Sequence, residues 1–286
     1  TTAGGCSGLQ NRCPKAAKSI AAREQGQQGL QFLHGGKLKE AEARFSHALE
    51  ACPEDVRLRH DLAVVRRQQG RMPEAISEMQ KAVESSGGEP AWLAELATMQ
   101  LAQGDHVGAW QSADRAVQRQ PSLAAAWHVR GDILKQSGRL EDALRDYHRA
   151  IAENDNSPEI FMQVSDTYRL LGRPRRALST LLRLTDSIPP EEHPPNLAYS
   201  RALAFQALSR HPEALTHFAE ARTRQGEAPD ILIQTAISQW ALGDAAGARS
   251  TLELASRANP QNPRIVELLV RWQSEQESAH HVAQAE

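Results

Sequence analysis

The stretch AAAWHVRGDILKQSGRLEDALRDYHRAIAENDNS, residues 124–157, decides the fold. It is two runs of helix-forming residues hinged at Gly138, and its small residues keep a strict spacing. Gly138 closes the first helix in a left-handed cap, a conformation that only Gly adopts cheaply. Ala143 and Ala150 follow on the second helix, seven apart and so two turns along one face. Side chains this small let paired helices approach at the close end of the roughly 8–10 Å range of interaxial distances. Tyr147 lies between them and fills the space beside that contact. Asp155, a turn former, ends the unit.

Working outward, the same Gly and Ala recur at a fixed offset: Gly36 and Ala41, Gly70 and Ala75, Gly104 and Ala109, Gly172 and Ala177, Gly243 and Ala248. Successive pairs lie 34 residues apart as far as Ala177. Ala214 comes 37 residues after Ala177, with Ser209 where the turn Gly should be, so three residues are inserted in the Pro-rich connection Ile188–Asn196. The units are 22–55, 56–89, 90–123, 124–157, 158–194, 195–228 and 229–262. Columns not used to set this register confirm it. Four residues after the Ala come Phe45, Met79, Ala113, Tyr147, Leu181, Phe218 and Leu252; seven after it come Ala48, Ala82, Ala116, Ala150, Leu184, Ala221 and Ala255. Twelve after it, every unit has a breaker or turn former, such as Pro53, Pro121 or Pro260. Self-similarity at this period is the signature of a stacked repeat architecture.

This pattern resembles the tetratricopeptide repeat (TPR), whose consensus is Trp, Leu, Gly, Tyr, Ala, Phe, Ala, Pro. Unit 124–157 carries Trp127, Gly131, Gly138, Ala143, Tyr147 and Ala150 of it. The resemblance implies an all-α, right-handed superhelical solenoid of about seven helix-turn-helix repeats over residues 22–262. Residues 1–21 form an N-terminal tether and 263–286 a capping helix with a frayed tail from Ser278. In the cap, Val266, Leu269 and Val270 are expected to face the last repeat, and Arg264, Glu267, Arg271 and Glu275 water. At Ser209 and at the inserted prolines after Ile188 a looser turn or a local change of superhelix is expected, and unfolding should depart from a single transition if repeats near Ile188–Asn196 couple weakly.

Composition excludes several functions. The 33 basic and 35 acidic residues leave a formal charge of -2, which attracts neither nucleic acid nor an anionic membrane. No apolar run approaches the ~18 residues of a membrane span. No phosphate loop, HExxH, GxSxG or paired CxxC occurs, so the chain is not expected to be an enzyme and no cofactor is expected. Of eleven histidines, His34, His47, His60, His106, His128 and His148 are expected to face different directions, so no metal site is expected. Trp92, Trp110 and Trp127 read as core. Arg173, Arg175 and Arg176 form a solvated rim, because no aromatics interleave them.

What remains is the surface made by stacking. In the resembled family the first helices line a concave groove, with their second, fifth, ninth, twelfth and thirteenth positions inward. These positions hold Thr98 and Leu101 in the third unit, then His128, Asp132 and Lys135, then Met162, Asp166 and Arg169. In the last two units they hold Tyr199, Leu203 and Gln206, then Ile233, Ile237 and Trp240. The groove should thus be polar in its middle and apolar towards its C-terminal end, with Trp240 facing Tyr199. Such a surface suits a protein or peptide partner with an amphipathic helix or apolar anchors. Asp132 and Asp166 stand where some family members bind a carboxylate through Lys or Asn, which excludes that ligand class here. The expected function is a partner-binding scaffold; the alternative is the substrate-recruiting arm of a larger enzyme or complex.

At the N-terminus, Ala3-Gly4-Gly5-Cys6 resembles the lipobox of bacterial lipoproteins, in which the Cys is acylated. That resemblance implies a lipid on Cys6 and a periplasm-facing protein of the bacterial cell envelope. A local disulfide between Cys6 and Cys13, or an unmodified tail on a cytoplasmic chain, are the other readings. Cys52, near the end of a second helix, reads as buried packing.

Overall fold

The computed structural model describes residues 16–285. The described residues are helical, with no strand among them, and form two compact units that divide between Asp155 and Asn156. In the first unit four antiparallel pairs follow one another: α1 (Ala16–His34) with α2 (Leu38–Ala51), α3 (Val56–Gln68) with α4 (Met72–Ser85), α5 (Pro90–Ala102) with α6 (His106–Arg119), and α7 (Ala124–Gln136) with α8 (Leu140–Ala152). The second unit pairs α9 (Pro158–Leu170) with α10 (Pro174–Ser187), α11 (Leu197–Ala207) with α12 (His211–Gln225), and α13 (Pro229–Ala241) with α14 (Ala245–Ala258). It closes with α15 (Pro263–Ala285).

Each pair is made by the small-residue columns. Every Ala of the first column, from Ala41 to Ala248, is fully buried. In two repeats, where Phe45 and Tyr147 stand four positions later, the first helix carries Gly at the crossing; in the sixth, Ala202 meets Phe218. A Cβ added at Gly131 would lie 2.6 Å from Tyr147 Cε1, and one at Gly29 would lie 2.7 Å from Phe45 Cε1. Contacts that short are forbidden, so these glycines are required by packing rather than by backbone freedom. In the second unit of the sequence the same two positions hold Ala63 and Met79, both buried. Tyr147 is held further by its hydroxyl, which donates to Asp132 at 2.7 Å.

The turns are equally uniform. Each turn Gly has a φ between +67° and +83°, and the following amide reaches back into the first helix. Arg139 N donates to Leu134 O at 2.9 Å and Asp244 N to Gln239 O at 3.0 Å, the six-to-one bond of a Schellman cap. Ser209 does not loosen its turn: it takes φ +58°, and Arg210 N donates to Phe205 O at 2.9 Å. The capping bond offsets the roughly 1–2 kcal/mol that an L-residue gives up in this region.

The Pro-rich connection contains a 3-10 turn at Pro190–Glu192 and lies inside the second unit. Arg201 Nη2 donates to Thr185 Oγ1 at 2.8 Å across it, joining α10 to α11. The capping helix α15 turns Ile265, Leu268 and Trp272 inward, leaving Val266 53% and Val270 64% exposed. A spacing of three and four gives that stripe a single face, and Trp272 sets its rotation by stacking on Trp240. Of the three cap residues expected inward, only Leu269 packs against the last core cluster.

The tryptophans read as core pack against it at its edge: Trp92, Trp110 and Trp127 are partly buried. The guanidinium of Arg130 sits 4.6 Å from the Trp127 ring centroid and 5.7 Å from that of Trp110. It also donates to both oxygens of Asp146, at 2.7 and 3.1 Å, and to Asp114 at 2.9 Å.

The Gly131–Tyr147 contact yields a direct test. Gly131→Ala should cost about 1–3 kcal/mol by overpacking. Adding Tyr147→Met, which recreates the Ala63 and Met79 pairing, should recover part of that loss in urea denaturation. Equal stability of Gly131→Ala and the parent would show that the contact does not limit helix approach.

Candidate partner-binding surface

Within each unit the first helices touch one another: α1 with α3 and α5 with α7 in the first, α9 with α11 and α11 with α13 in the second. The inner positions of these helices form the candidate surface, one stretch per unit.

In the first unit the structure gathers His128, Asp132 and Lys135 and adds Tyr147 and Asp155, which the sequence assigns only to packing and to the turn. His128 Nδ1 lies 2.7 Å from Asp155 Oδ2, and Nε2 lies 4.0 Å from Asp132 Oδ2. Burial raises the pKa of Asp132; the His128 and Lys135 charges and the Tyr147 hydroxyl pull the other way without cancelling it. Asp155 occupies the column where the other units have Pro or Gly, and a carboxylate opposite an inner-face His was the available signal.

A second cluster went unread. His60 and His128 both stand at the fifth position of a first helix, so they share a column instead of facing different ways. The His60 ring stacks on Trp92, centroids 5.0 Å apart and planes 18° from parallel. Its Nδ1 is 3.2 Å from Asp61 Oδ1 and its Nε2 3.1 Å from Glu95 Oε2. Burial opposes the charged ring, but hydrogen bonds and charge from Asp61 and Glu95 outweigh it and push the pKa up to about 9. Thr98 is exposed and donates to Ala94 O at 3.0 Å, while Leu101 packs against the core.

In the second unit Met162, Tyr199 and Leu203 are partly exposed on adjacent helices. Asp166 and Arg169 lie among them as an ion pair, Nη2 to Oδ1 2.6 Å. Burial raises the Tyr199 pKa, as do the nearby carboxylates of Asp230 and Asp166, against the pull of Arg169. Gln206 Nε2 donates to Gln234 O and Ser238 Oγ, both at 3.0 Å, and so ties α11 to α13.

The apolar end is not open as expected. Ile233 is 3% exposed and belongs to the core. Ile237 and Trp240 pack against that core, and Trp240 stacks on Trp272 of α15 at 4.6 Å with planes 4° apart. Its Nε1 donates to Glu275 Oε2 at 3.2 Å, so its ring partner is the cap and not Tyr199. The cap lies where another first helix would, and the apolar residues there are its seat. No group of His, Cys, Asp and Glu that could hold a metal ion occurs among the described residues. Cys52 is buried as expected and is disulfide-bonded; Cys6 lies outside the described residues.

Comparison with known proteins agrees with this architecture. The family profile described as Tetratricopeptide repeat matches residues 27–90, 124–157 and 199–263. The chain belongs to the tetratricopeptide repeat family, a class of helical protein-interaction scaffolds. It is similar to the crystal structure of a tetratricopeptide repeat protein from Parabacteroides merdae, with TM-score 0.68, 18% identity, and coverage of 89% of this chain and 99% of that one. It is also similar to YrrB, described as a TPR protein with an unusual peptide-binding site, with TM-score 0.53, 16% identity, and coverage of 66% and 96%. A sequence relative is the Cellulose synthase operon protein C of Xanthomonas axonopodis pv. citri, 28% identical over 204 residues. That match takes in 64% of this chain but spans only 14% of the relative.

The His60 cluster predicts a pH effect. Because the folded pKa is raised above the ordinary value of 6.5, the stabilisation is complete below pH 6.5 and is lost as pH rises through about 9. His60 ring resonances followed by NMR should therefore titrate near pH 9, and Glu95→Gln should lower that midpoint. A midpoint near 6.5 in the parent chain would refute the cluster's charge state.

Proposed function

We propose that the inner face of the second unit holds a protein partner through Met162, Tyr199 and Leu203, with the Asp166–Arg169 pair fixing its register. The observation that carries this reading is that these side chains, two of them packed against the unit's core, keep part of their surface exposed on adjacent helices, whereas Ile233 is buried and Trp240 is stacked on the cap. Apolar anchors beside a charged pair suit one face of an amphipathic helix or an extended segment. In the first unit, the His128–Asp132–Lys135 and His60–Trp92 clusters present a polar, charge-paired surface that favours specificity over affinity. Photo-crosslinking in the native host tests this: a photoreactive residue at Leu203 should capture a discrete partner, and Tyr199→Ala should weaken that partner by roughly 2 kcal/mol or more. Capture from the outward-facing Ala219 and none from position 203 would overturn it.

The relationship to a short part of a much longer protein supports a second reading, a recruiting arm within a larger assembly whose chemistry lies elsewhere. No catalytic role is proposed for the residues described.

We further propose a bacterial-envelope location with a lipid on Cys6. Two features support it: the Ala3-Gly4-Gly5-Cys6 sequence, and the disulfide at Cys52, which belongs to an oxidising compartment. An acylated Cys6 cannot also be the partner of Cys52, so this reading expects Cys13 in that role. Mass spectrometry of the native protein should find an acylated Cys6 peptide and a Cys13–Cys52 crosslinked peptide. A Cys6–Cys52 crosslink would rule the lipid out.

A further inference from the structure

The inserted connection between α10 and α11 does more than lengthen the chain. It bounds a cleft of about 430 Å³ against the first turns of α9, lined by Pro158, Glu159, Met162, Gln163 and residues 192–196 of the loop. The walls are of two kinds. Pro158, Met162, Pro194 and Pro195 give an apolar trough, while Glu159 and Glu192 are exposed at it, with no ion-pair partner among the described residues. His193 adds a ring nitrogen, Nε2, that is shielded from solvent and has no hydrogen-bond partner. Prolines at 189, 190, 194 and 195 fix φ at four positions, so the loop loses little freedom on binding.

We propose that this cleft takes a lysine or arginine side chain of the partner polypeptide. A long aliphatic stem with a cationic head matches a cleft whose lining combines an apolar trough with two carboxylates. A volume at the lower end of the roughly 300–1,000 Å³ range of small-ligand sites suits one long side chain and its adjoining backbone. Neither an acidic nor a wholly apolar side chain fits: the first meets Glu159 and Glu192, and the second leaves both carboxylates unpaired. Met162 belongs both to the cleft and to the inner face, so a peptide lying along Tyr199 and Leu203 would place a basic residue here. This identifies one feature of the partner and rests on the partner-binding reading of that face.

The test uses the full chain and a probe that needs no partner. N-acetyl-arginine N-methylamide is titrated into ¹⁵N-labelled protein, with N-acetyl-norleucine N-methylamide as the neutral control. Saturable amide shifts are expected at Gln163, His193 and Asn196 with the arginine probe. Binding should be at least about tenfold weaker in Glu159→Gln/Glu192→Gln, through loss of charge-assisted hydrogen bonds. Both glutamates are exposed, and an unchanged thermal melt confirms that the double variant is folded. The assignment is overturned if no shifts appear at these residues, if norleucine produces the same shifts, or if the double variant binds as the parent does. Any of those results leaves the Leu203 crosslinking experiment intact, so failure of the cleft is separable from failure of the binding face.

Discussion

The structure depends on how closely two helices can approach within a repeat. The Ala columns on the second helix and the small residue opposite them on the first set that distance. Everything else is fitted to it: the bulk of the residue between the two Ala, the Gly at 29 and 131 beside Phe45 and Tyr147, and the Schellman turn joining the helices. Protein interiors are packed to crystal density, so a single methyl group at such a crossing has no space to enter. The choice of Gly where Phe45 and Tyr147 lean across, and of Ala beside Met79, is a size exchange seen in these three repeats.

Uniform pairs in turn require uniform turns. Six of the seven turns use Gly in the left-handed region, and Ser209 is held in the same geometry by the same backbone bond. Tertiary packing on both sides leaves the chain no other path between α11 and α12, so the local preference of Ser is overruled. The inserted prolines act at a different level. They leave the neighbouring helices paired and spend their extra length on the surface, beside the inner face of the second unit.

Stacking also decides which apolar residues are available to a partner. A repeat array has an unsatisfied apolar surface at its last unit unless something covers it. In this chain α15 does so, and Ile233, Ile237 and Trp240 are consumed in seating it. The partly exposed apolar residues of the second unit's inner face therefore lie further towards its N-terminal end, at Met162, Tyr199 and Leu203. In the first unit the corresponding positions are taken up by charge pairing. His60 is held protonated between Asp61 and Glu95, and Asp132 is shared by Tyr147 and His128.

The sequence by itself determined the repeat register, the positions of the turns, and which small residues would be buried. These follow from short-range spacing: two turns of helix between Ala residues, and Gly where φ must be positive. It also placed His128, Asp132 and Lys135 on one face, since positions four and seven apart on a helix share a side. Only the tertiary structure decided what those faces meet. Trp240 reads as an open groove residue until α15 is rotated by the Trp240–Trp272 stack. Asp155 reads as a turn former until the chain returns it to His128, 27 residues earlier. The His60–Trp92 stack joins two helices whose lateral offset no within-helix spacing encodes. Periodicity specifies direction relative to a helix axis, whereas exposure and pairing depend on the neighbouring helix, and that is settled by packing.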